Sequence, residues 1–370
     1  MQAAVYTGAQ QPFALKEYPL LAPEAGMASV MLESSGLCGT DVHIWEGALA
    51  FAGPLIIGHE FLGRVHALGS ESALDALGRA LAVGDRVVVN VIAPCGSCAL
   101  CTSGGAASCL HLGESLIYAQ APEEAPDLHG GFAEATVVPT HYLVKIPDSL
   151  PLDVTAALLC AGPTVIRGMI FAGGIAAGVP VVVQGSGPVG LFAVLYAKTL
   201  GAGPVILIGS GSHPLRLELA RALGADATLD IHTTTVEERR SRILALTGGQ
   251  GVELIIEGAG APSAIPEGLP LLRPRGRYVL AGQYSDRGAI AIPTHLITLN
   301  ALQLIGSAQF TAQDRADYLT FLQQVPDKWD TIRRIITDRL PLSQINEAFR
   351  RAREGSSVKV VFVNAEAIAY

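Results

Sequence analysis

Short apolar runs are joined in two different ways along this chain, and the change divides it into three zones. In residues 1–155 the runs MASVMLE, RVVVNVI and ATVVP are separated by turns rich in glycine, proline and aspartate, which is typical of an irregular β domain. From 156 to 305 apolar strands alternate with helical patterns, which predicts an α/β domain with a doubly wound parallel sheet. Residues 306–370 contain two helical patterns, DRADYLTFLQQ and SQINEAFRRAR, before a final strand, KVVFV.

The central zone includes a stretch, 168–197, that has no charged side chain and is long enough to span a membrane. Glycine and proline recur through it, and they favour a helix, a strand buried on both faces and a helix over 189–200. We therefore expect no membrane segment. Further strands are predicted at PVILIG, ELIIEG, RYVLAG and LQLIG, and a further helix at LRLELARALG.

Composition excludes several classes of protein. The 370 residues predict two domains, and a chain that is 50% hydrophobic and 16% charged is not disordered. The formal net charge of −8, without a basic stripe, argues against a nucleic-acid partner. The N-terminus, MQAAVYTGAQQPF, has neither a basic start nor an apolar core, so no signal peptide is expected. We therefore expect a cytoplasmic protein.

Four of the six cysteines form the compact pattern C-x2-C-x2-C-x7-C, at Cys95, Cys98, Cys101 and Cys109. This spacing allows four thiolates to enclose one Zn²⁺ tetrahedrally. Disulfide pairing is the competing interpretation, but dense disulfides are typical of small secreted domains. We predict a closed structural zinc site in a lobe at about 90–112.

Cys38, His59 and Cys160 are candidate ligands of a second zinc ion. Catalytic zinc keeps three protein ligands and one open position, and two thiolates with one imidazole form a known ligand set. Taken singly, a buried cysteine is more often a small core residue, and the same holds for a lone histidine. The motifs CGTDVH and GHE and the nearby four-cysteine lobe favour the zinc site.

Gly185, Gly187 and Gly190 form the pattern G-x-G-x-x-G between the β-branched strand 179–183 and a helix. In this context Gly185 is expected to make a tight turn, Gly187 to let the backbone approach a pyrophosphate, and Gly190 to allow close helix–strand packing. The free N–H groups of the helix would then face the phosphates. A glycine-rich turn without a ligand is the alternative.

The second strand of this zone lacks the acidic residue that binds the ribose 2′-hydroxyl of NAD, and Gly209 stands where we expect it. Ser210, Ser212, His213 and Arg216 are candidates for contacts with a 2′-phosphate instead. The cofactor is therefore predicted as NAD(P)(H), with a slight preference for NADP(H). A plain loop that ends in a capped helix is the alternative.

With CGTDVH, GHE, the four-cysteine lobe, LLCAGPT and the glycine turn in view, the chain resembles the zinc-containing medium-chain alcohol dehydrogenase family over essentially its full length. The resemblance implies a GroES-like, β-rich catalytic domain from 1–155 and 306–370, and a Rossmann nucleotide-binding domain from 156–305. It also implies two Zn²⁺ per chain, a homodimer or homotetramer, and a small alcohol or carbonyl substrate. The missing acid and the long segment HLGESLIYAQAPEEAPDLHGG depart from the family, so the cofactor form and a named substrate do not transfer.

The resemblance implies roles for the residues around the second zinc. Cys38, His59 and Cys160 are the expected catalytic zinc ligands. Glu60 is similar to a carboxylate that many members of the family have near the catalytic zinc. That carboxylate either lies beside the zinc ligands or acts as a transient fourth ligand. Asp41 is similar to the carboxylate that orients the zinc-bound histidine.

Further roles follow from the same resemblance. Thr40 and His43 match the hydroxyl and the imidazole of a proton relay. Thr164 and Val189 match positions that pack on the nicotinamide. Lys359 lies where many members have a basic residue near the cofactor phosphates; a solvated lysine on an edge strand is the alternative.

The expected reaction is hydride transfer between an alcohol, bound to zinc as its alkoxide, and a nicotinamide cofactor, or the reverse reduction of a carbonyl. Two other hypotheses stay open. A non-catalytic relative would only bind nucleotide, although no zinc-ligand or relay residue is missing. A zinc-free quinone or enoyl reductase would use the same scaffold, but both zinc patterns argue against it.

Overall fold

The structure, a computed structural model, describes residues 1–119 and 128–363. Most of the long segment after the four-cysteine lobe is described, but its residues 120–127 lie outside these ranges. The strands are β1 (Gln2–Val5), β2 (Ala14–Glu17), β3 (Met27–Gly36), β4 (Glu60–Leu68), β5 (Arg86–Val89), β6 (Ala135–Pro139), β7 (Leu143–Lys145), β8 (Val181–Gln184), β9 (Val205–Gly209), β10 (Ala227–Asp230), β11 (Val252–Glu257), β12 (Leu272–Leu280), β13 (Gln303–Gly306), β14 (Ile336–Leu340) and β15 (Lys359–Val363).

The α-helices are α1 (Gly39–Glu46), α2 (Ala99–Thr102), α3 (Leu152–Ala157), α4 (Ala161–Phe171), α5 (Pro188–Thr199), α6 (Pro214–Ala222), α7 (Val236–Leu246), α8 (Ala264–Gly268), α9 (Thr294–Leu299), α10 (Ala312–Gln324), α11 (Trp329–Arg333) and α12 (Ile345–Glu354). Short 3₁₀ helices lie between them, at Ala106–Ser108, Leu112–Ser115, Ile117–Ala119, Thr140–Tyr142, Leu269–Leu271, Pro326–Lys328 and Leu342–Gln344.

The chain forms two compact units. Among the described residues, unit 1 contains 1–119, 128–160, 309–326 and 336–363, and unit 2 contains 161–308 and 327–335. The boundaries therefore fall after Cys160 and Ala308, a few residues beyond those predicted at 155 and 305. The segment 327–335, expected in the catalytic domain, belongs to unit 2, where Lys328 donates to the Ala222 carbonyl of α6 and Arg334 pairs with Glu218.

The main sheet of unit 1 has the strand order β14-β15-β3-β4-β5-β7, with β6 also paired to β3 and a separate β1–β2 pair. The pairing is antiparallel except between β14 and β15. Apolar residues of β3, β4 and β5 pack into one core on the sheet. The register sets Gly36, the last residue of β3, opposite both Glu60 of β4 and Val361 of β15, so these strand ends meet at one place.

The sheet of unit 2 is parallel throughout, with the order β10-β9-β8-β11-β12-β13. If the six strands of this unit are numbered 1 to 6 along the chain, their order in the sheet is 3-2-1-4-5-6. The direction of the order therefore changes next to strand 1, which is β8. This is the doubly wound nucleotide-binding order, in which ligands bind at the carboxyl ends of the strands near the switch. The predicted combination of a β-rich domain and a domain with a doubly wound parallel sheet is thus confirmed.

Several elements were not predicted from the sequence. Among them are α1, which begins within the CGTDVH motif, the strand β10 and the helix α7. The apolar stretch 168–197 contains the end of α4, then β8 and most of α5, as its glycines and prolines indicate. Among the helices that the structure describes, none combines the length and the apolar character that crossing a membrane requires.

Candidate active site

Cys38, His59, Glu60 and Cys160 lie together in unit 1, with one potential ligand atom of each within 4.8 Å of the others. The strand register explains three of them. Cys38 follows the end of β3 and His59 precedes the start of β4, and these two ends are paired. Cys160 arrives from a distant part of the chain, after α3.

Asp41 joins Cys38 and His59 through one buried carboxylate. Cys38 is the N-cap of α1, and its backbone N–H donates to Asp41 Oδ2 at 2.9 Å. The other oxygen, Oδ1, lies 3.0 Å from His59 Nδ1, and Asp41 is completely buried. Because Nδ1 is engaged, Nε2 is the nitrogen left to bind a metal, and the carboxylate fixes the orientation of the ring.

The thiols of Cys38 and Cys160 are joined by a hydrogen bond that shifts their pKa values in opposite directions. A hydrogen bond with Cys160 lowers the pKa of Cys38 well below its usual value, although burial alone would raise it. The same hydrogen bond raises the pKa of Cys160. A buried pair in which one sulfur favours the thiolate form is a suitable ligand pair for a soft or borderline cation.

Lys359 lies in the cluster rather than at the surface. Its Nζ donates to Glu60 Oε1 at 2.6 Å and to the Leu37 carbonyl at 3.0 Å, and its side chain is 2% exposed, as is that of Glu60. Burial raises the pKa of Glu60, and Lys359 offsets only part of this effect. The second oxygen, Oε2, is buried and has no hydrogen-bond partner among the described residues. That oxygen is therefore available to a cation.

Arg315, on α10, holds the segment next to Cys160 by a hydrogen bond to the Leu159 carbonyl. This residue was not predicted from the sequence. Its guanidinium is buried, donates from Nη1 to the Leu159 carbonyl at 3.0 Å and from Nε to Asn90 Oδ1 at 2.5 Å. Leu159 precedes the ligand Cys160, so Arg315 fixes the segment that presents this sulfur. Within DRADYLTFLQQ an arginine resembles a solvent-facing position, and no sequence signal marks it as buried.

Thr40 and His43 lie three positions apart on α1, so they face the same side of the helix. Thr40 Oγ1 lies 3.9 Å from Cys38 Sγ, and both Thr40 and His43 are half-buried. The helix thus brings a hydroxyl next to the cluster and an imidazole one turn further out, which is the arrangement that a relay needs.

The four cysteines of the lobe have the dimensions of a zinc site. The Sγ atoms of Cys95 and Cys101 are 3.9 Å apart, as are those of Cys98 and Cys109. A tetrahedron with Zn–S bonds of about 2.3 Å has S···S edges of about 3.8 Å. Backbone N–H groups of Ser97 and Cys98 lower the pKa of Cys95 to about 6, which favours the thiolate that zinc binds.

The glycine turn follows β8 in unit 2. Gly185 has φ +111°, and a Cβ on it would lie 2.8 Å from the Ala259 nitrogen; a Cβ on Gly190 would lie 1.8 Å from the Gly185 carbonyl oxygen. Gly187 is the N-cap of α5, and a Cβ there would meet, within 4 Å among the described residues, Arg216 Nη1 alone, at 3.8 Å. The backbone is therefore crowded at Gly185 and Gly190 but open at Gly187, where a phosphate could approach it.

The loop after β9 has its own hydrogen bonds. Ser210 Oγ donates to Ser212 Oγ at 2.9 Å and lies 2.8 Å from His232 Nε2. His213 is the N-cap of α6, where its Nδ1 accepts from the Leu215 N–H at 3.3 Å. His213 therefore has a structural role as a cap in addition to the phosphate contact predicted for it.

Thr164 and Val189 lie on α4 and on the first turn of α5, and both are half-buried. Packing on the nicotinamide stays a prediction for these two residues.

Comparisons with known proteins agree over both units. One family model, the alcohol dehydrogenase GroES-like domain, matches residues 24–148, and a second, the zinc-binding dehydrogenase domain, matches 188–324. The 5-exo-hydroxycamphor dehydrogenase of Pseudomonas putida is 33% identical over 354 residues, which cover 93% of this chain and 94% of that protein. The sorbitol dehydrogenase of Halalkalibacterium halodurans is 29% identical, over 94% of this chain and 95% of its own.

Solved structures give the same result. The alcohol dehydrogenase of Thermotoga maritima superposes with a TM-score of 0.91 at 32% identity, over 98% of both chains. The match covers nearly the whole chain, and so both the β-rich unit and the unit with the parallel sheet. The chain belongs to the zinc-containing medium-chain alcohol dehydrogenase family and is an oxidoreductase that acts on alcohols.

Proposed function

We propose that the protein is a zinc- and NAD(P)-dependent alcohol dehydrogenase, which interconverts a small alcohol and its carbonyl compound. The observation that supports this most directly is the cluster of Cys38, His59 and Cys160, whose ligand atoms lie within 4.8 Å of one another and of Glu60. Two sulfurs and one imidazole are a catalytic zinc set. The unpartnered buried oxygen of Glu60 fits the same interpretation.

Each residue of the cluster has a separate task. Cys38, His59 and Cys160 would hold the metal, and Asp41 keeps His59 in the tautomer that leaves Nε2 free to bind it. Zinc, when bound, acts as a Lewis acid on the alcohol hydroxyl, and the nicotinamide accepts the hydride. Lys359 donates a hydrogen bond to Glu60 and limits the rise that burial causes in the pKa of that carboxyl.

Proton removal falls to α1. The Thr40 hydroxyl, beside Cys38, accepts a hydrogen bond from the alcohol and orients it. His43, further along the same helix face, holds the proton at the outer end, because an imidazole titrates near neutral pH.

The second zinc belongs to the four-cysteine lobe in this proposal. Its four thiolates leave no open position, so this ion would hold the lobe together rather than take part in the reaction. Two zinc ions per chain follow, of which one exchanges and one does not.

The glycine turn is the proposed site of the cofactor pyrophosphate. Gly185, Gly187 and Gly190 would form the turn, and the N-terminus of α5 would face the phosphates. The sequence, with no acid at Gly209 and with Arg216 nearby, favours NADP(H). Asp230, at the end of the neighbouring strand β10, favours NAD(H).

The assembly and the location are part of the same proposal. The family resemblance favours a homodimer or homotetramer, and the sequence favours the cytoplasm. Light scattering on the purified protein distinguishes the two assemblies, and fractionation of the source cells tests the location.

Metal analysis combined with one substitution tests the zinc assignment. Wild-type protein should contain two zinc ions per chain, and mild chelation should remove one of them together with alcohol oxidation. Cys160→Ala should contain one zinc ion and lose nearly all activity, measured as absorbance of the reduced nicotinamide. A single zinc in the wild type, or normal turnover by Cys160→Ala, would contradict the ligand set.

A further inference from the structure

A carboxylate stands at the end of β9 although β9 itself has none. Asp230 is the last residue of β10, the strand that pairs with β9, and its Cα partner there is Gly209. Asp230 Oδ1 accepts the backbone N–H of Gly211 at 3.1 Å and that of His232 at 3.0 Å. The neighbouring strand thus supplies the acidic group at the carboxyl edge of the sheet.

The carboxylate fills the space that a side chain on the β9 loop would occupy. A Cβ built on Gly211 would lie 2.4 Å from Asp230 Oδ2, so the carboxylate would have to move to admit a side chain there. Glycine at 211 and aspartate at 230 are therefore complementary. An acid presented by β9 is replaced by one presented by β10.

Asp230 is ionised at neutral pH. The hydrogen bonds from the backbone N–H groups of His232 and Gly211 lower its pKa, although burial acts in the opposite direction. Both of these hydrogen bonds are accepted by Oδ1. Oδ2 is the oxygen that faces the backbone of Gly211.

The groups expected to bind a 2′-phosphate are placed differently. Of the predicted groups, Ser210 and Ser212 are hydrogen-bonded to each other at 2.9 Å, and Ser210 Oγ also lies 2.8 Å from Nε2 of His232, a residue outside that prediction. Arg216 Nη1 lies against the glycine turn, 3.8 Å from the Cβ position of Gly187. That position suits the pyrophosphate, which any form of the cofactor has, rather than the group that distinguishes the two forms.

We propose that Asp230 is the residue that selects the cofactor: it accepts the 2′-hydroxyl of the adenosine ribose and repels a 2′-phosphate, so the enzyme prefers NAD(H) to NADP(H). This inference rests on the proposed function and reverses the slight preference for NADP(H) drawn from the sequence. A hydroxyl donates to a carboxylate, whereas a phosphate offers it no proton and adds like charge.

Dissociation constants of NADH and NADPH, measured by fluorescence titration of the zinc-loaded protein, test the proposal without turnover. Wild type should bind NADH more tightly. Asp230→Asn keeps an oxygen acceptor for Gly211 and His232 but removes the charge, and it should shift the ratio of the two constants toward NADPH by roughly tenfold or more. Asp226→Asn removes the same charge at the opposite end of β10 and should leave the ratio unchanged.

The outcomes separate the two claims. Tighter binding of NADPH by the wild type, or an unchanged ratio in Asp230→Asn, would overturn the role of Asp230, which would then only shape the loop. Failure of wild type to bind either cofactor would overturn the proposed function itself.

Discussion

Replacement of Lys359 with methionine tests the charge arrangement of the catalytic cluster. Methionine has a similar length but no charge, so the variant leaves Glu60 buried without its cation and removes a donor from the Leu37 carbonyl. Removal of one partner of a buried ion pair costs about 3–5 kcal/mol. Both side chains are only 2% exposed and 2.6 Å apart, so solvent screens the pair little. We expect a loss of this size in the free energy of unfolding of unit 1.

The loss should depend on pH in one direction. Burial raises the pKa of Glu60, and Lys359 acts against that rise. Without Lys359 the folded-state pKa rises further above the ordinary value of 4.5. A protonated Glu60 needs no counter-ion, so the difference between variant and wild type should shrink as the pH falls toward that value and grow as it rises.

Urea unfolding of the zinc-loaded protein measures the effect, followed by the fluorescence of Trp45 of unit 1 in a Trp329→Phe background, since Trp329 lies in unit 2. Lys145→Met is the matched control, because Lys145 pairs with Asp85 at 2.7 Å but is 32% exposed; an exposed pair is worth about 0–1 kcal/mol. Glu60→Gln combined with Lys359→Met should recover much of the loss. The reasoning fails if Lys359→Met costs no more than Lys145→Met, or if the cost does not diminish in acid.

Three further predictions concern single residues. Arg315→Met removes the hydrogen-bond donor to the Leu159 carbonyl, which precedes Cys160. The free energy of unfolding should fall by about 2–4 kcal/mol, and metal analysis should show weaker retention of the exchangeable zinc. Wild-type values for both would contradict the positioning role of Arg315. His43→Ala should keep both zinc ions but oxidise alcohol roughly tenfold to a hundredfold more slowly at neutral pH, with partial rescue by imidazole in steady-state assays; an unchanged rate would remove His43 from the relay. Burial alone would raise the pKa of Asp75, but hydrogen bonds from Arg79 and from backbone N–H groups lower it. Asp75→Asn should therefore be less stable by about 1–3 kcal/mol at neutral pH, a difference that denaturant titrations should find lost as the pH falls below 3.8; a constant difference would show that the charge is not responsible.

The sequence predicted those features whose signal is local. Cysteine spacing at 95–109 sets the size of a metal site directly, and the G-x-G-x-x-G after an apolar strand predicts its own turn. The role of Asp41 came from a resemblance, but the structure adds its physical reason, since one carboxylate both caps α1 and holds His59. Such features need no knowledge of distant pairing.

Features that depend on distant pairing were missed. β10 has only four residues, lies at the sheet edge and is half-buried at three of them, so its apolar pattern is weak. Its position is nevertheless what brings Asp230 to the end of β9. Arg315 and Lys359 were missed as buried cations for the same reason, because their partners are 156 and 299 positions away in the chain.

The charges of the catalytic cluster favour a divalent cation independently of any resemblance. Four acidic side chains lie together in unit 1, and two basic side chains balance them in part: Cys38, Cys160, Glu60 and Asp41 against Lys359 and Arg315. The hydrogen bond with Cys38 raises the pKa of Cys160, and Asp41 raises the pKa of His59 although burial acts against it, so only a bound cation would make both thiols thiolates and the imidazole neutral. In that state four negative charges face two positive ones, and without the cation the excess of two buried negative charges would be costly. A monovalent ion would leave the site negative, and a trivalent ion would leave it positive. Among divalent ions, zinc is the one whose ligand preference matches two thiolates and an imidazole.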